Sequence, residues 1–386
     1  MKIAKRVSGI QPSLTRQLFD KAKEYNNVID FTLGDPDYQT PNTIKNAACQ
    51  AILSGNTKYS ANAGLPKLRQ VISNRIKQET GVHYEPMSEV LVSVGAMEAL
   101  YLTLFCSIES GDEVIIPAPY WINYKHMVEL CGGEPVIVET QEEQDFIVTA
   151  EQIANAVTDK TVAIILNSPN NPTGTIYDRK TLEKIARIAK EKDLIIIWDE
   201  CYKNIVYDGV EFVSILSLKD IKDNVVVINS CSKEYSMTGW RIGYAAAPKE
   251  LIANMTKVQE NIAACASLPS QYAAIEAWGN ECEEKQMMRQ GFERRRNVLI
   301  NGIKNIGKLS CKVPKGTFYA FVNIAKTNMD SQTFAYSLLE HKQVAVVPGI
   351  TYGECCKNYI RIAYTMDEEK IKEGLIRIKA FVEEKC

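Results

Sequence analysis

A lysine and an arginine stand close together in the sequence, where a nucleophile and an anion site could work side by side. Lys233 ends the string Asn229–Lys233, which directly follows an apolar run, and Arg241 comes eight residues later. A free lysine amine has a pKa of about 10.4, so it becomes a nucleophile only in a tuned environment or with a carbonyl cofactor. The alternative is a solvated loop lysine beside a surface arginine, and this motif alone leaves both open.

Two polar residues also follow apolar runs. Asp199 comes immediately after Leu194–Trp198, and an ionised carboxylate at the end of a buried strand needs a partner, such as a protonated pyridine nitrogen. It could equally be the N-cap of the segment that follows. Asn171 lies in Asn167–Gly174, a turn-forming string that could present its amide to a ligand or be an ordinary turn.

The segment Gly95-Ala96-Met97 lies where a strand is predicted to turn directly into a helix. Small residues at a helix start leave backbone N–H groups free for a phosphate. The segment does not match the G-x-G-x-x-G dinucleotide fingerprint, which occurs nowhere in the chain. A lysine nucleophile, a carboxylate, an amide and a phosphate site, all after strand ends, are together what a pyridoxal phosphate enzyme needs.

The elements that must position these residues alternate along most of the chain. Short Val- and Ile-rich runs are typical of strands covered on both faces, and amphipathic stretches such as Asp178–Lys192 predict crossover helices between them. We therefore predict an α/β fold, in which a large domain has a mostly parallel sheet sandwiched by helices. After Glu283 a long charged helix leads into alternating strand-like and helical segments, which predict a smaller α+β domain.

The predicted boundaries divide the chain into three parts. Residues 1–45 form an N-terminal arm that contributes to the small domain, residues 46–285 form the large cofactor-binding domain, and residues 286–386 form the small C-terminal domain. Thr40 is a candidate N-cap, with Pro41 as the first helical residue. Strands of the small domain are predicted over Thr317–Val322, Ala345–Val347 and Tyr359–Tyr364.

Composition excludes several other classes of function. Among the 386 residues, 45 Lys and Arg nearly balance 47 Asp and Glu, so neither a nucleic-acid nor a membrane partner is expected. Only three histidines occur, far apart, which excludes a His-rich metal site; no metal is predicted. The eleven cysteines form no C-x-x-C pair, and the N-terminus has no apolar run, so a reducing, cytoplasmic location is expected. The function of the adjacent pair Cys355-Cys356 stays open.

Over essentially its full length the chain resembles class I aminotransferases of the aspartate aminotransferase superfamily, which have fold type I and use pyridoxal phosphate. The resemblance rests on motifs in matching order and spacing, namely Leu33–Asp37, Lys58–Gly64, Pro117–Trp121, Asn170–Gly174, Asp199–Tyr202, Ser230–Lys233, Gly239–Arg241 and Asn358–Arg361. It implies reversible transfer of the amino group of an α-amino acid to a 2-oxo acid such as 2-oxoglutarate. The donor would be aspartate-like, or neutral or aromatic.

The resemblance also implies a role for each matching residue. Lys233 would form the Schiff base and move the proton at the substrate's Cα. Asp199 would keep the pyridine nitrogen protonated, and Tyr202 would hydrogen-bond the phenolic oxygen of the ring with help from Asn171. Trp121 would stack on the ring; otherwise it would be an ordinary buried aromatic residue.

Phosphate and substrate contacts follow from the same resemblance. The main chain of Gly95, Ala96 and Met97 would hold the phosphate, together with the side chains of Ser230 and Arg241. Substrate would contact Gly34, Trp121, Asn171 and Arg361.

Two of these implied contacts bear on recognition. Arg361 would pair bidentately with the substrate's α-carboxylate, a geometry that lysine cannot reproduce. Tyr59 would reach the phosphate of the neighbouring subunit, which implies a homodimer.

Met97 is the departure that bears on the substrate. In bacterial relatives that prefer aspartate, a lysine can occupy this position and receive the side-chain carboxylate, which methionine cannot do. Arg16 lies in the arm that closes over the site in the family. It could replace the missing cation, or it could be a surface charge.

Two other functions stay compatible with the motifs. A C–S β-lyase on the same fold begins with the same loss of the Cα proton, and release of ammonia and pyruvate would identify it. A non-catalytic regulator that binds pyridoxal phosphate usually carries an additional DNA-binding segment. This chain has no spare domain or basic patch for one.

Overall fold

The structure is a computed structural model that describes Ile3, Val7, Ile10 and residues 14–386. The remainder of the predicted arm before residue 14 lies outside the described residues. From residue 14 onward the α-helices are α1 (Leu14–Ala22), α2 (Asn42–Leu53), α3 (Pro66–Thr80), α4 (Pro86–Glu89), α5 (Gly95–Ser107), α6 (Asn123–Leu130), α7 (Ala150–Ala156), α8 (Arg179–Glu191), α9 (Lys249–Ile262), α10 (Leu268–Gly279), α11 (Glu283–Lys304), α12 (Ser331–Lys342) and α13 (Glu368–Lys385).

The β-strands of the same part of the chain are short. They are β1 (Ile29–Asp30), β2 (Val90–Ser93), β3 (Glu113–Ala118), β4 (Glu134–Glu139), β5 (Thr161–Asn167), β6 (Ile195–Asp199), β7 (Val225–Ser230), β8 (Gly243–Ala246), β9 (Ser310–Cys311), β10 (Tyr319–Asn323), β11 (Val344–Ala345), β12 (Val347–Pro348) and β13 (Tyr359–Ala363).

Seven strands form a central sheet in the order β2-β8-β7-β6-β5-β3-β4. Strands β3 to β7 run parallel, while β8 is antiparallel to both of its neighbours, β2 and β7. The predicted α/β fold with a mostly parallel sheet is therefore confirmed.

Helices cover this sheet on both faces. In β5, Ile164 and Leu166 face a core shared with α2, α3, α7, α8 and α10. The alternate residues Ala163 and Ile165 face a second core with α5, α6 and α9. Because side chains alternate along a strand, burial on both faces requires consecutive apolar residues. This explains why the strand runs were recognisable in the sequence.

A second structural region packs around a separate core. Strands β12, β13, β10 and β9 form an antiparallel sheet in that order, and β1 pairs in parallel with β11. Helices α11, α12 and α13 share this core with Leu18 of α1 and with Phe31. The arm from residue 14 onward thus packs with the C-terminal part of the chain, while the domain boundaries stay a prediction.

Local details differ from the sequence expectations at three places. Pro41 is the N-cap of α2, and the Thr40 hydroxyl instead donates to the Ser236 carbonyl at 2.7 Å. Strand β10 begins at Tyr319, because Thr317 has a positive φ of 63° that ends extended pairing. The predicted strand over Ala345–Val347 is two strands, since β11 pairs with β1 and β12 pairs with β13.

Other features of the described chain bear on its chemistry. No helix among the described residues is long and apolar enough to cross a bilayer. The same residues contain no group of three or more His, Cys, Asp or Glu side chains that could hold a metal ion. All eleven cysteines are unpaired, and the sulfurs of Cys355 and Cys356 lie 3.6 Å apart.

Candidate active site

A cavity of about 700 Å³ lies where the carboxyl ends of three parallel strands meet the second structural region. Asn167, Asp199 and Ser230, the last residues of β5, β6 and β7, contribute to its wall. The carboxyl edge of an open α/β sheet is where such folds bind ligands. Most of the residues predicted from the sequence line this cavity: Gly34, Ala96, Met97, Trp121, Asn171, Asp199, Tyr202, Ser230, Lys233, Arg241 and Arg361.

Two predicted residues lie elsewhere. Gly95 is the first residue of α5, beside the Arg241 guanidinium at the cavity edge. Tyr59 does not line the cavity, and it is 87% exposed.

Lys233 extends from the turn that follows β7 toward the arm. Its Nζ donates a hydrogen bond of 2.6 Å to the carbonyl oxygen of Gly34. A side chain at residue 34 would collide with the Tyr319 hydroxyl, so glycine at this position permits the close approach of Tyr319. A salt bridge to Lys233 is absent among the described residues, which leaves its amine available to a ligand.

Asp199 is a buried carboxylate held by two hydrogen bonds. It is 5% exposed, and its Oδ2 accepts a bond of 2.7 Å from the Tyr124 hydroxyl, while its Oδ1 accepts one of 3.0 Å from the Cys201 N–H. Burial raises the pKa of Asp199, although these two donors and nearby Lys233 oppose the rise. The segment after Asp199 forms turns, not a helix, so Asp199 does not cap a helix.

Tyr124 was missed in the sequence analysis. It lies near the start of α6, three residues after Trp121, and the two rings meet edge to face with centroids 5.4 Å apart. Trp121 is only partly buried and lines the cavity, so it is not an ordinary core aromatic. The spacing of three residues between Trp121 and Tyr124 was the available signal, because residues three apart at the start of a helix lie on the same helix face.

Arg361 is a buried cation whose hydrogen-bond partners are all neutral. Its Nη1 donates to Asn171 Oδ1 at 3.1 Å and its Nη2 to the Thr32 carbonyl at 2.6 Å. The guanidinium lies over the Tyr319 ring, 4.2 Å from the centroid. The buried Nε has no partner in the described structure, and no salt bridge there involves this residue. A buried charge of this kind requires an anion, and the open cavity is where one can bind.

Two tyrosine hydroxyls contact each other at the cavity wall. Tyr202 and Tyr319 are 3.1 Å apart, oxygen to oxygen, and burial raises the pKa of Tyr202 well above its ordinary value. The raised pKa keeps the Tyr202 hydroxyl protonated, so it can donate a hydrogen bond.

An anion site is assembled at the start of α5. A Cβ at Gly95 would lie 2.5 Å from Arg241 Nη2, and one at Gly243 would lie 2.6 Å from the Ala96 nitrogen. Only glycine at these two positions lets the arginine and the backbone N–H groups of α5 approach so closely. With the Ser230 hydroxyl on the same wall, the arrangement suits a phosphate group.

Met97 and Arg16 also line the cavity. Met97 is 40% exposed. The Arg16 side chain is 68% exposed, and its Nε lies 3.0 Å from Asp20 Oδ2. Arg16 is thus a surface cation that also lines the cavity, and its replacement of the missing lysine stays a prediction.

Several other lining residues were not predicted individually. Asn167, Cys201 and Ser232 lie inside motifs named in the sequence analysis, whereas packing of distant segments brings Thr32, Tyr319, Thr351 and Tyr352 to the cavity. Thr351 and Tyr352 directly precede a positive-φ glycine, Gly353, in a short 3₁₀ turn, which is ordinary turn material in a sequence.

A cavity at the carboxyl edge of a mostly parallel sheet, lined by a lysine, an aspartate and an arginine, is typical of the ligand site of an α/β enzyme. The family model for "Aminotransferase class I and II" matches residues 26–378. The chain belongs to the class I and II aminotransferase family.

Individual relatives agree with this family. The chain is 39% identical to an aspartate aminotransferase of Bacillus subtilis (strain 168), with 99% of each chain covered. It is 37% identical to aromatic-amino-acid aminotransferase 2 of Thermococcus litoralis, over 100% of this chain and 99% of the other. The solved structure of an aspartate aminotransferase from Rhizobium meliloti superposes with a TM-score of 0.95 at 36% identity, covering 99% of both chains. The protein is an aminotransferase with the fold type I architecture, as predicted.

Proposed function

We propose that this cavity binds pyridoxal phosphate and transfers the amino group of an α-amino acid to a 2-oxo acid. The observation that carries the proposal is Arg361, a buried guanidinium with only neutral partners, facing the same cavity as the Lys233 amine. An α-carboxylate bound at Arg361 would bring a substrate's Cα into this shared space. An arginine fork is the side chain best suited to bind a carboxylate bidentately.

The lining supports pyridoxal phosphate as the cofactor. The backbone N–H groups of Gly95, Ala96 and Met97, with Ser230 and Arg241, would hold its phosphate, since glycine alone permits the close approach seen there. Bound pyridoxal phosphate supplies an electron sink for the carbanion formed at the substrate's Cα.

Side chains at the other end of the cavity would hold the ring. Asp199 would pair with the pyridine nitrogen, and a proton on that nitrogen would compensate the desolvated carboxylate. Trp121 would stack on the ring face. The Tyr202 hydroxyl and the Asn171 amide would hydrogen-bond the phenolic oxygen.

Lys233 is proposed as the group that moves protons. Its Nζ would accept the proton from the substrate's Cα and later return a proton to the product. An amine with a single hydrogen bond to the Gly34 carbonyl can turn from the arm toward substrate without breaking an ion pair. Gly34 would then lie beside the bound carboxylate.

The cavity wall supports a neutral or aromatic donor first. Met97 and Trp121, with Leu33 and Ile122, give an apolar surface for the substrate's side chain. A dicarboxylic donor such as aspartate is the second candidate, because Arg16 also lines the cavity. Arg16 would have to leave Asp20 to receive the second carboxylate.

A panel of amino acids tests the proposed reaction. Purified protein loaded with pyridoxal phosphate is mixed with one amino acid at a time, and its absorbance spectrum is recorded. The proposal predicts a spectral change with the true donor, which a 2-oxo acid then reverses. Accumulation of ammonia and pyruvate from cysteine-type substrates would instead identify a C–S β-lyase. A response to aspartate alone would mean that a cation other than a lysine at position 97 receives the second carboxylate, and Arg16 is the candidate.

We further propose that the working unit is a homodimer in the cytoplasm. Tyr59 is 87% exposed and lies outside its own chain's cavity, which supports a contact with the phosphate site of a second copy. The unpaired state of all eleven cysteines supports a reducing compartment.

A further inference from the structure

A network of charged side chains lies behind the cavity and has no part in the proposed reaction. Arg75 and Glu79, one turn apart on α3, lie at its centre. Arg75 Nη2 is 2.9 Å from Glu234 Oε1, and Lys203 joins Glu79 to Glu200 with contacts of 2.7 Å and 2.6 Å. Glu200 and Glu234 are 2% and 5% exposed, so the ion pairs that these two glutamates form are largely removed from water.

Further contacts complete the network. Arg75 Nε lies 2.9 Å from Glu79 Oε1, and Lys285 of α11 lies 2.9 Å from Glu234 Oε1. The Trp198 indole N–H donates to Glu200 Oε2 at 3.0 Å. Three carboxylates and three cations therefore balance in charge: Glu79, Glu200 and Glu234 with Arg75, Lys203 and Lys285.

The partners of two buried members, Glu234 and Lys203, favour their charged forms. Burial alone would raise the pKa of Glu234, but Arg75 and Lys285 bring it down to about 2. Burial alone would lower the pKa of Lys203, but Glu200 raises it above its ordinary value. Removing such ions from water is energetically unfavourable, and an apolar cluster of similar volume is often equally stabilising. Stability alone does not account for the network.

The two buried glutamates directly follow the two residues on which the proposed reaction depends. Asp199 and Lys233 line the cavity, whereas Glu200 and Glu234 do not. Glu234 contacts Arg75 of α3 directly, and Glu200 is connected to Glu79 of α3 through Lys203. A planar peptide bond joins each glutamate to the residue before it, so a displaced glutamate displaces its neighbour in the cavity. Both turns are thus attached to the same helix.

We propose that Glu200 and Glu234 are positioning residues, which hold Asp199 and Lys233 at a fixed separation through their shared attachment to α3. The proposal rests on the proposed function, because that function assigns Asp199 and Lys233 to cofactor and substrate. Arg75 is the central connection, since its guanidinium contacts both Glu79 and Glu234.

Substitution of Arg75 tests the proposal against a matched ion pair elsewhere. In protein loaded with pyridoxal phosphate, we expect Arg75→Met to lower kcat by about 10- to 100-fold, because small displacements of reacting groups cost rate. The KM for the amino donor should change little, since Arg361 belongs to a different sheet. The visible circular dichroism of the bound cofactor, which depends on its orientation, should change as well.

Lys222→Met is the control. Lys222 forms a partly buried ion pair with Glu89, at 2.8 Å, away from the cavity wall. Its loss should lower thermal stability but leave kcat and the visible circular dichroism unchanged. If Arg75→Met does not fold, Lys285→Gln replaces it, because Glu234 then keeps Arg75. The same readouts should change in the same direction by a smaller amount.

The outcomes separate this proposal from the proposed function. If the wild-type protein binds the cofactor and turns over, and the network variants keep the wild-type kcat and visible circular dichroism, the positioning role alone is overturned. Wild-type protein that binds no pyridoxal phosphate would overturn the proposed function, and the positioning role with it.

Discussion

At the scale of single residues, Arg361 carries the clearest requirement for a ligand. It is buried, its Nε has no partner in the described structure, and the oxygens that it contacts belong to Asn171 and Thr32 and are uncharged. Because its hydrogen-bond partners are uncharged, the guanidinium can form an ion pair with an incoming carboxylate.

Arg361→Lys keeps the charge but removes the planar fork. We expect kcat/KM for the amino donor to fall by about 10- to 100-fold, the worth of one hydrogen bond to a charged group. Steady-state kinetics measure this loss, and thermal unfolding checks that the variant is folded. An unchanged kcat/KM in folded protein would exclude Arg361 from carboxylate binding.

Asp199 predicts a pH-dependent stability with a defined sign. Burial raises its pKa above the ordinary value of 3.8, so the folded protein keeps this proton to a higher pH than the unfolded chain. The ionised carboxylate costs folding free energy as pH rises through this window, and the cost persists at neutral pH. Relative to wild type, cofactor-free Asp199→Asn should therefore gain thermal stability as pH rises from 3.8 to neutral. A stability difference that does not vary with pH would contradict this.

At the scale of elements, four helices among the described residues begin with a side-chain N-cap, namely α7, α8, α12 and α13. The Asp178 side chain accepts a hydrogen bond of 2.9 Å from the Thr181 N–H and caps α8. We expect Asp178→Ala to lower the free energy of unfolding by about 1 kcal/mol. Denaturant unfolding measures it, with Glu183→Ala on the exposed side of the same helix as control, expected within about 0.5 kcal/mol of wild type. Equal losses for both variants would argue against the cap.

The elements also show how far the sequence could be interpreted. Runs of consecutive apolar residues identified β5 and β6, because these strands are buried on both faces. Pairing partners were not encoded locally, so the division of residues 345–347 between β11 and β12 could not be foreseen. Asp199, Lys233 and Arg361 stood out in their motifs, whereas Thr32 and Tyr319 reach the cavity only through long-range packing.

At the scale of the whole molecule, the cavity is built by two cores and is proposed to be completed by a second copy. The structure places Tyr59 in solvent, 87% exposed. Light scattering should give twice the chain mass of 43.3 kDa.

Tyr59→Phe should stay dimeric and raise the Kd for pyridoxal phosphate by about 10-fold, through loss of one hydrogen bond to a charged group. A monomer with full activity would contradict the proposed dimer.

The central claim is that Lys233 is the amine that carries the cofactor in this cavity. It is tested most directly by reducing the protein loaded with pyridoxal phosphate with borohydride, which fixes the cofactor to the amine that holds it, and then mapping the modified peptide by mass spectrometry. The account predicts one modified site, Lys233, and none in Lys233→Ala, which should also lose turnover. Modification of another lysine, or normal turnover by Lys233→Ala, would contradict it.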